Sequence, residues 1–532
     1  MAREALVRSA FNPYHYINMM ISAVFRFFPG PWMAGVTALA VLLGTVTASA
    51  AGAAELRFAM ANLPRSQGNP YTENGSPSTY TWSAIFDALT RVGADGTLQP
   101  ALATRWSPLA DNRWRFELRE GVRFTNGEPF DAHTVVAVVD WLRSEEGRRT
   151  VIGNELRSLA EAVAIDEHTV ELVSTRPDAI LPNRMSAVLM VPREAWARLG
   201  PDGFALQPHG TGPFRVVEWS ERERTVRLVA NPESWRAPRL TALTLRGLPD
   251  KAVRVQALRS REVDMTLIDI EDVDFLQARG FSVNHSPSMQ VMALAFNAER
   301  DPPSPVADVR VRQALNHAVD KQAIADILLQ GMVRPSGQPA SFVTTGYHPH
   351  IEPYAYDPAR ARALLAEAGW PDGFDMTIHV AEGGVPGASQ IYQVVVQYLS
   401  RIGVRARLQV RPFPAWLRDY LAGTMSADMF GLPWNSAPYN DVMRPIEYYS
   451  CAKRRPFFCA PELMPLIEAA GSELDPKRRE AVLQALALHT HELAPSLFLV
   501  EQMDLFAHRV GVEDLVVANR VPVYERLYIS PP

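Results

Sequence analysis

Two patterns of hydrophobic and polar positions divide the chain. Before residue 300, short stretches such as Arg113–Leu118 alternate apolar and polar side chains, which is typical of half-buried β-strands. From Asp308 to about residue 492, apolar positions recur every three or four residues, which predicts helices separated by a few strands. Strands are predicted again from Pro495 onward. This order predicts an α/β protein whose first domain is discontinuous.

The predicted elements follow from this periodicity. The predicted helices lie near 80–89, 131–143, 192–199, 252–261, 308–318, 321–330, 358–368, 388–401, 414–421, 461–472 and 476–492. The predicted strands lie near 55–60, 113–119, 169–173, 214–219, 225–230, 263–268, 291–297, 374–381, 404–411 and 495–500. Asp131 precedes the second helix, where its carboxylate can cap the free backbone N–H groups.

The N-terminal region has the layout of an export signal. No charged residue occurs from Pro31 to Ala54, an apolar core spans 33–46, small residues follow it, and arginines precede it. This order predicts a secretory signal peptide over 1–54 that is cleaved, and therefore a periplasmic protein. The alternative is a membrane anchor that stays in place, but the Gly, Thr and Ser residues make a poor span.

Length and charge narrow the classes of function. A chain of 532 residues is too long for a single compact core, so two or three domains are expected. The formal net charge is −5 and no basic block is present. Because nucleic-acid binding needs clustered lysines and arginines to neutralise phosphates, nucleic acid is not expected as a partner.

The familiar catalytic templates are missing from the sequence. There is no phosphate-binding Gly-rich loop ending in Lys-Ser/Thr, no Gly-x-Ser-x-Gly elbow and no His-Glu-x-x-His. His348/His350 and His489/His491 are spaced two apart, which places each pair on different faces of a helix. We therefore predict no catalytic residues, no metal site and no cofactor. A secreted hydrolase is the weakest of the alternatives.

The only two cysteines lie close together, at Cys451 and Cys459. In an oxidising compartment two neighbouring thiols in an irregular segment are expected to form a disulfide. Two separate buried thiols are the alternative. Metal binding is less favoured, because no third ligand stands at the usual spacing.

A series of motifs in a fixed order carries a resemblance to a known family. The motifs include a turn and strand around Asp95–Trp106, the stretch Trp114–Phe130, the turn Gly210–Phe214, the helix Val309–Lys321 and the segment Tyr356–Phe374. Together they resemble the family 5 extracellular solute-binding proteins of bacteria, the peptide-binding components of ATP-driven importers. The matches span about residues 85 to 500.

The resemblance implies a periplasmic binding protein-like fold of the class II, cluster C type, with two lobes, a hinge and three domains. Domain I would be discontinuous, domain II inserted into it, and domain III would form the second lobe. The implied boundaries are 55–88 with 204–294 and 496–532 for domain I, 89–203 for domain II, and 295–495 for domain III.

The resemblance also implies a function. The protein would be a monomer that captures a peptide or a similar small organic solute and delivers it to the transmembrane permease subunits of an ABC importer. A binding protein for a sugar, an opine-like conjugate or a metal chelate, or a signalling receptor, is the alternative within the same fold. The two cysteines resemble, in position, a disulfide of the dipeptide-binding branch.

The expected binding residues lie on two segments. In peptide binders of this family, the acid three residues after a Trp pairs with the α-ammonium of the peptide. In this chain the Trp is Trp434, and the residue three positions later is Ala437. Either Asp441 takes over this role, or the ligand has no free α-amino group there. The further candidates on these segments are Ser288, Met289, Gln290, Trp434 and Asn435.

Overall fold

The computed structural model describes residues 54–382, 388–437 and 439–530. The predicted signal peptide over 1–54 lies outside these ranges apart from Ala54, so its cleavage stays a prediction. Among the described residues, no helix combines the length and the apolar character that a membrane crossing requires.

Strands occur throughout the described chain. They are β1 Glu55–Met60, β2 Thr90–Val92, β3 Leu98–Pro100, β4 Ala103–Ala110, β5 Arg113–Leu118, β6 Leu159–Asp166, β7 Thr169–Ser174, β8 Phe214–Ser220, β9 Thr225–Ala230, β10 Ala242–Gly247, β11 Met265–Ile268, β12 Ser282–Phe296, β13 Asp375–Ala381, β14 Arg405–Arg411, β15 Met429–Gly431, β16 Trp434–Asn435, β17 Ser496–His508, β18 Val512–Glu513, β19 Val517–Ala518, β20 Val521–Pro522 and β21 Tyr528–Ile529.

Helices are concentrated in the second half of the chain. The α-helices are α1 Ser78–Ile85, α2 Ala132–Arg143, α3 Val151–Glu155, α4 Leu181–Arg184, α5 Arg193–Leu206, α6 Lys251–Arg259, α7 Val273–Gln277, α8 Val309–His317, α9 Lys321–Ala323, α10 Pro358–Glu367, α11 Ala388–Ser400, α12 Phe413–Ala422, α13 Met443–Tyr448, α14 Met464–Ser472 and α15 Pro476–Leu493.

Aspartate side chains define where several helices begin. The carboxylate of Asp131 accepts a hydrogen bond from the backbone N–H of Thr134 at 2.8 Å, as the sequence predicts. Five more of the described α-helices begin with an aspartate cap, and the aspartates involved are Asp250, Asp308, Asp320, Asp357 and Asp475. These caps satisfy backbone donors that have no partner in the first helical turn.

The largest sheet runs through the molecule in the order β14-β13-β15-β12-β17-β11-β1-β10-β9-β8, and β16 pairs with β12 beside this path. β1 is parallel to β10 and β11, and β13 is parallel to β14 and β15. The two central strands, β12 and β17, are antiparallel to each other. Parallel strands on either side of these two long antiparallel strands give a two-part α/β structure.

The two central strands join two lobes. Ser282–Pro287 pair with Met503–His508, whereas Val291–Ala295 pair with Ser496–Glu501. A register shift separates these halves between Pro287 and Val291. We call residues 54–287 and 503–530 the first lobe and residues 291–501 the second lobe. The predicted two-lobed architecture with a hinge is therefore present, and the hinge is the place where both strands change lobe.

Domain II was predicted as an insertion over 89–203, and this region holds a separate four-stranded sheet in the order β4-β5-β7-β6. Its core is continuous with that of the main sheet, since Phe116 and Phe58 belong to one buried cluster. The boundaries at 89 and 203 stay predictions. The second lobe has two further apolar clusters, one on either side of its part of the sheet, and one of them also includes Ile180 of the first lobe.

The predicted disulfide is present. Cys451 and Cys459 are bonded, with their Cα atoms 4.5 Å apart, and close a short loop in the second lobe. Phe457 and Phe458, inside this loop, are buried in one of the apolar clusters of the lobe. The loop is therefore fixed both by a covalent bond and by packing.

Several predicted elements have different bounds. The helix predicted at 321–330 is α-helical only over Lys321–Ala323 and continues as a π-helical turn, Ile324–Leu328. The strands predicted at 291–297 and 495–500 are the second-lobe halves of β12 and β17, which extend far into the first lobe. Their first-lobe halves contain polar residues without regular alternation, so pairing with β11 and with each other rather than periodicity defines them.

Candidate functional site

The candidate site lies where the two central strands change lobe. Met289 has a positive backbone φ of 56° and is 3% exposed, within the register shift of β12. A residue other than glycine with this φ is strained, and such residues cluster at functional positions. Ser288, Met289 and Gln290, all predicted as site residues, are buried at this junction.

The second predicted segment lies beside the first. β16 pairs with β12 so that Gln290 is opposite Asn435 and Val291 is opposite Trp434. The backbone N–H of Ser436 donates to the carbonyl of Met289 at 3.1 Å. The structure therefore brings the two predicted segments into contact.

The side chain of Trp434 is packed in the interior of the second lobe. Its side chain is fully buried and is stacked on Tyr449, with ring centroids 3.8 Å apart. Its indole N–H donates to the hydroxyl of Ser496 at 3.0 Å. Because no face of the ring is open, Trp434 positions the segment that follows it, and its predicted contact with a ligand stays a prediction.

Asp441 already has strong partners within the protein. Its two carboxylate oxygens accept hydrogen bonds from Arg479 at 2.8 and 3.1 Å, and one also accepts from the backbone N–H of Met443 at 3.0 Å. The Asp441 side chain is 1% exposed. A buried, bidentate pair of this kind satisfies the charge that a ligand ammonium would otherwise neutralise.

Buried polar atoms without partners are concentrated at this junction. Within the described ranges, the side-chain atoms at or next to the two segments that lack a hydrogen-bond partner are Ser288 Oγ, Asn435 Oδ1, Ser436 Oγ, Asn440 Oδ1, Arg444 Nε and Gln502 Nε2. Buried polar groups are nearly always hydrogen-bonded, so an unpaired set in one place calls for an explanation. A ligand that supplies complementary donors and acceptors is the explanation that fits a junction between two lobes.

A cluster of charged side chains connects the two lobes next to these unpartnered atoms. Glu155, in the first lobe, accepts hydrogen bonds from Arg444 at 2.9 Å and from the hydroxyl of Tyr439 at 2.5 Å, both in the second lobe. Burial by itself raises the pKa of Glu155, but the Arg444 guanidinium and the Tyr439 hydroxyl outweigh it and hold the pKa below its usual value. Glu155 therefore stays ionised in this arrangement.

A second cation completes the contact. Arg184 of the first lobe lies 3.2 Å from Asp178 in its own lobe and 3.3 Å from Glu447 in the second. Its side chain is 8% exposed. The lobes are thus in contact through charges that the protein itself supplies.

The lobes also meet at a glycine. The side-chain amide of Asn440 donates to the carbonyls of Gly96 and Val343, both at 2.8 Å. Gly96 has a φ of +80°, and a Cβ atom there would lie 2.2 Å from the Val343 carbonyl. Only glycine permits this approach of the two lobes.

A cavity of about 450 Å³ opens next to this contact. The first lobe contributes Asn183 and the loop 95–98, and the second lobe contributes residues 342–345, Asp441, Pro476 and Arg479. Its walls come from both lobes, as expected for a space that closes when the lobes approach. No group of three or more potential metal ligands occurs among the residues that the structure describes.

Several residues of the junction carry no signal in the sequence. Glu155, Arg184 and Arg444 are ordinary surface types in helical segments, and only the tertiary contact between lobes buries them. Glu501 directly follows the apolar run Leu497–Val500, an unusual position for an acid and the one local signal of its burial.

Comparison with known proteins shows that most of the chain matches one protein family. Residues 97–455 match the family described as bacterial extracellular solute-binding proteins, family 5, middle region. The glutathione-binding protein GsiB of Salmonella paratyphi A is 27% identical over 349 residues, which are 64% of this chain and 66% of the relative. The chain therefore spans just under two thirds of the length of this relative.

Two further proteins are similar over more of their length. The dipeptide-binding protein of Escherichia coli K12 is 25% identical over 496 residues, 85% of this chain and 91% of the relative. The ABC transporter-associated periplasmic binding protein DppA from Helicobacter pylori, solved in complex with the peptide STSA, has a TM-score of 0.74 and 22% identity, covering 90% of this chain and 98% of its own. This last similarity is one of fold.

Proposed function

This chain belongs to family 5 of the bacterial extracellular solute-binding proteins, and from this membership we propose that it captures a peptide or a similar small organic solute between its lobes. The family is one of binding proteins, and we propose binding without catalysis for this chain. The observation that carries the proposal is the set of buried, unpartnered polar atoms at the junction between the lobes. A ligand with amide or hydroxyl groups would pair with these atoms as the lobes close.

The proposal extends to location and partners. The predicted signal over 1–54 would direct the protein to the periplasm, where the disulfide between Cys451 and Cys459 is chemically favoured. A monomeric binding protein would then release its solute to the transmembrane permease subunits of an ABC importer.

Ala437 supports a second candidate. Since the position used for the peptide ammonium holds an alanine, a non-peptide solute such as a sugar, an opine-like conjugate or a metal chelate is the alternative ligand. A signalling receptor of the same fold would bind by the same geometry.

Titration calorimetry and thermal shifts against matched peptide and sugar panels test the proposal. We expect one ligand per chain, a rise in the unfolding temperature, and a preference for di- to tetrapeptides. Saturable binding of sugars with no response to any peptide would favour the second candidate. A protein that binds no member of either panel would contradict both.

A further inference from the structure

The second-lobe half of β17 carries an acidic residue, Glu501, at the junction of the lobes. Glu501 is opposite Val291, the first residue of β12 after the register shift. On its other side Val291 is opposite Trp434. Directly opposed residues of antiparallel strands share one face of the sheet, so Glu501 stands in one row with Trp434, two strand spacings or about 10 Å away.

Glu501 lies directly behind the wall of the cavity between the lobes. One carboxylate oxygen accepts a hydrogen bond from the backbone N–H of Phe342 at 3.3 Å, and Phe342 lines that cavity. The backbone N–H of Glu501 donates to the carbonyl of Arg334 at 2.8 Å. The residue is 6% exposed.

Three other acids at the junction have cations of their own, and Glu501 differs from these three. Asp441 is paired with Arg479, Glu155 with Arg444, and Glu447 with Arg184. Among the residues that the structure describes, no basic nitrogen lies within the 4.0 Å of an ion pair with Glu501.

An unpaired carboxylate in this place is unfavourable. A buried charge without a partner is strongly destabilising, and such a group loses its charge or finds a cation. Burial raises the pKa of Glu501 to about 7, against smaller opposing effects of the Phe342 N–H and the charge of Arg334. The charged and titratable groups that face it are Arg334 and the phenol of Tyr347.

We infer that Glu501 is the carboxylate that receives an ammonium group of the ligand, in place of the acid that is missing at Ala437. The unpartnered Ser288 Oγ would accept a further hydrogen bond from that group. The ligand class is therefore a small organic solute with a primary ammonium group, held at β17 rather than by the segment after Trp434 that peptide binders of the family use. This inference rests on the proposed function, since it assigns a residue within the same site.

Glu501→Gln tests the inference, because glutamine keeps the shape and removes the charge. The probes are a library of di- and tripeptides with free amino termini and the same library with acetylated amino termini. We expect Glu501→Gln to weaken binding of the free peptides about 30-fold or more and to leave the acetylated peptides unchanged. Glu492→Gln, at an exposed position of the same lobe, is the matched control and is expected to behave as wild type.

The pH dependence provides an independent readout that a purely structural role would not produce. An ammonium ligand favours ionised Glu501, so affinity for free peptides is expected to fall about 20-fold from pH 7.5 to 5.5, as a group with a pKa of about 7 takes up its proton. Glu501→Gln is expected to show a flat profile over this range.

The possible failures of the two proposals are distinguishable. Equal binding of free peptides by wild type and Glu501→Gln, or affinity that rises on acidification, would overturn the inference and leave the proposed function intact. A wild-type protein that binds neither library would overturn the proposed peptide function and the inference with it.

Discussion

At the scale of single residues, Arg479 shows how a buried charge is compensated. Its guanidinium is 11% exposed and holds both oxygens of Asp441, whose side chain is 1% exposed. Arg479→Met would leave Asp441 buried without a cation, and we expect the free energy of unfolding to fall by about 3–5 kcal/mol. Urea denaturation at neutral pH measures this loss.

The neighbouring residue provides the control. Arg478 is 71% exposed and pairs with Glu473 at the surface, so Arg478→Met is expected to cost less than about 1 kcal/mol. Equal effects of the two substitutions would contradict the role assigned to the Asp441–Arg479 pair.

Ala437→Asp tests whether the position used by relatives still receives an ammonium group. Because Glu501 is assigned that role, we expect no more than a twofold gain in affinity for peptides with free amino termini. Titration calorimetry with wild type and variant measures the difference. A tenfold or larger gain would return the ammonium site to position 437 and remove the need for Glu501.

The resemblance to the family accounts for part of the site. The sequence predicts Ser288, Met289, Gln290 and Asn435, and the structure places them in two strands that pair with each other. It does not predict Glu155 or Arg444, because an ion pair between residues nearly 300 positions apart leaves no local pattern. The roles of all these residues in binding stay predictions.

At the scale of elements, the disulfide loop carries a stability contribution that can be measured. A bond between Cys451 and Cys459 closes a short loop, and the chain-entropy relation assigns about 2–3 kcal/mol to a loop of this length. We expect the double substitution Cys451→Ser, Cys459→Ser to lower the free energy of unfolding by that amount. Wild type unfolded in the presence of a reductant is the control, and it should match the variant.

The sequence predicts those helices and strands whose bounds depend on neighbouring residues. Helix α2 begins after the predicted cap, Asp131, and α15 begins at Pro476, where the helical periodicity predicts it. Strands β15 and β16 are only a few residues long and were not predicted. They exist because β12 provides a pairing partner, which no short window of sequence contains.

At the scale of the whole molecule, contact between the lobes depends on charges that lie on both sides. Glu155 and Arg444 are both 12% exposed in this arrangement. Arg444→Met would leave Glu155 buried without its cation, so we expect a more open protein, with a larger radius of gyration by solution X-ray scattering and ligand affinity lower by roughly tenfold.

The control and the pH response sharpen this test. Arg405→Met removes an exposed ion pair with Asp375 in the second lobe. This variant is expected to leave the radius of gyration and the ligand affinity unchanged. Contact between the lobes lowers the pKa of Glu155. Its contribution to that contact is therefore present above the usual pKa of a glutamate and is lost as the pH falls through the lowered pKa. Identical scattering curves for wild type and Arg444→Met at neutral pH would show that the cluster does not hold the lobes together.

Mass spectrometry of the ligand that leaves the purified protein on denaturation tests most directly what this molecule carries. Protein purified from its own bacterium should release a single class of small molecule, about one per chain, with peptide bonds and a primary amine. Recovery of sugars or opine-like compounds alone, with no amine-bearing peptide at any stoichiometric level, would contradict the peptide assignment and the role inferred for Glu501.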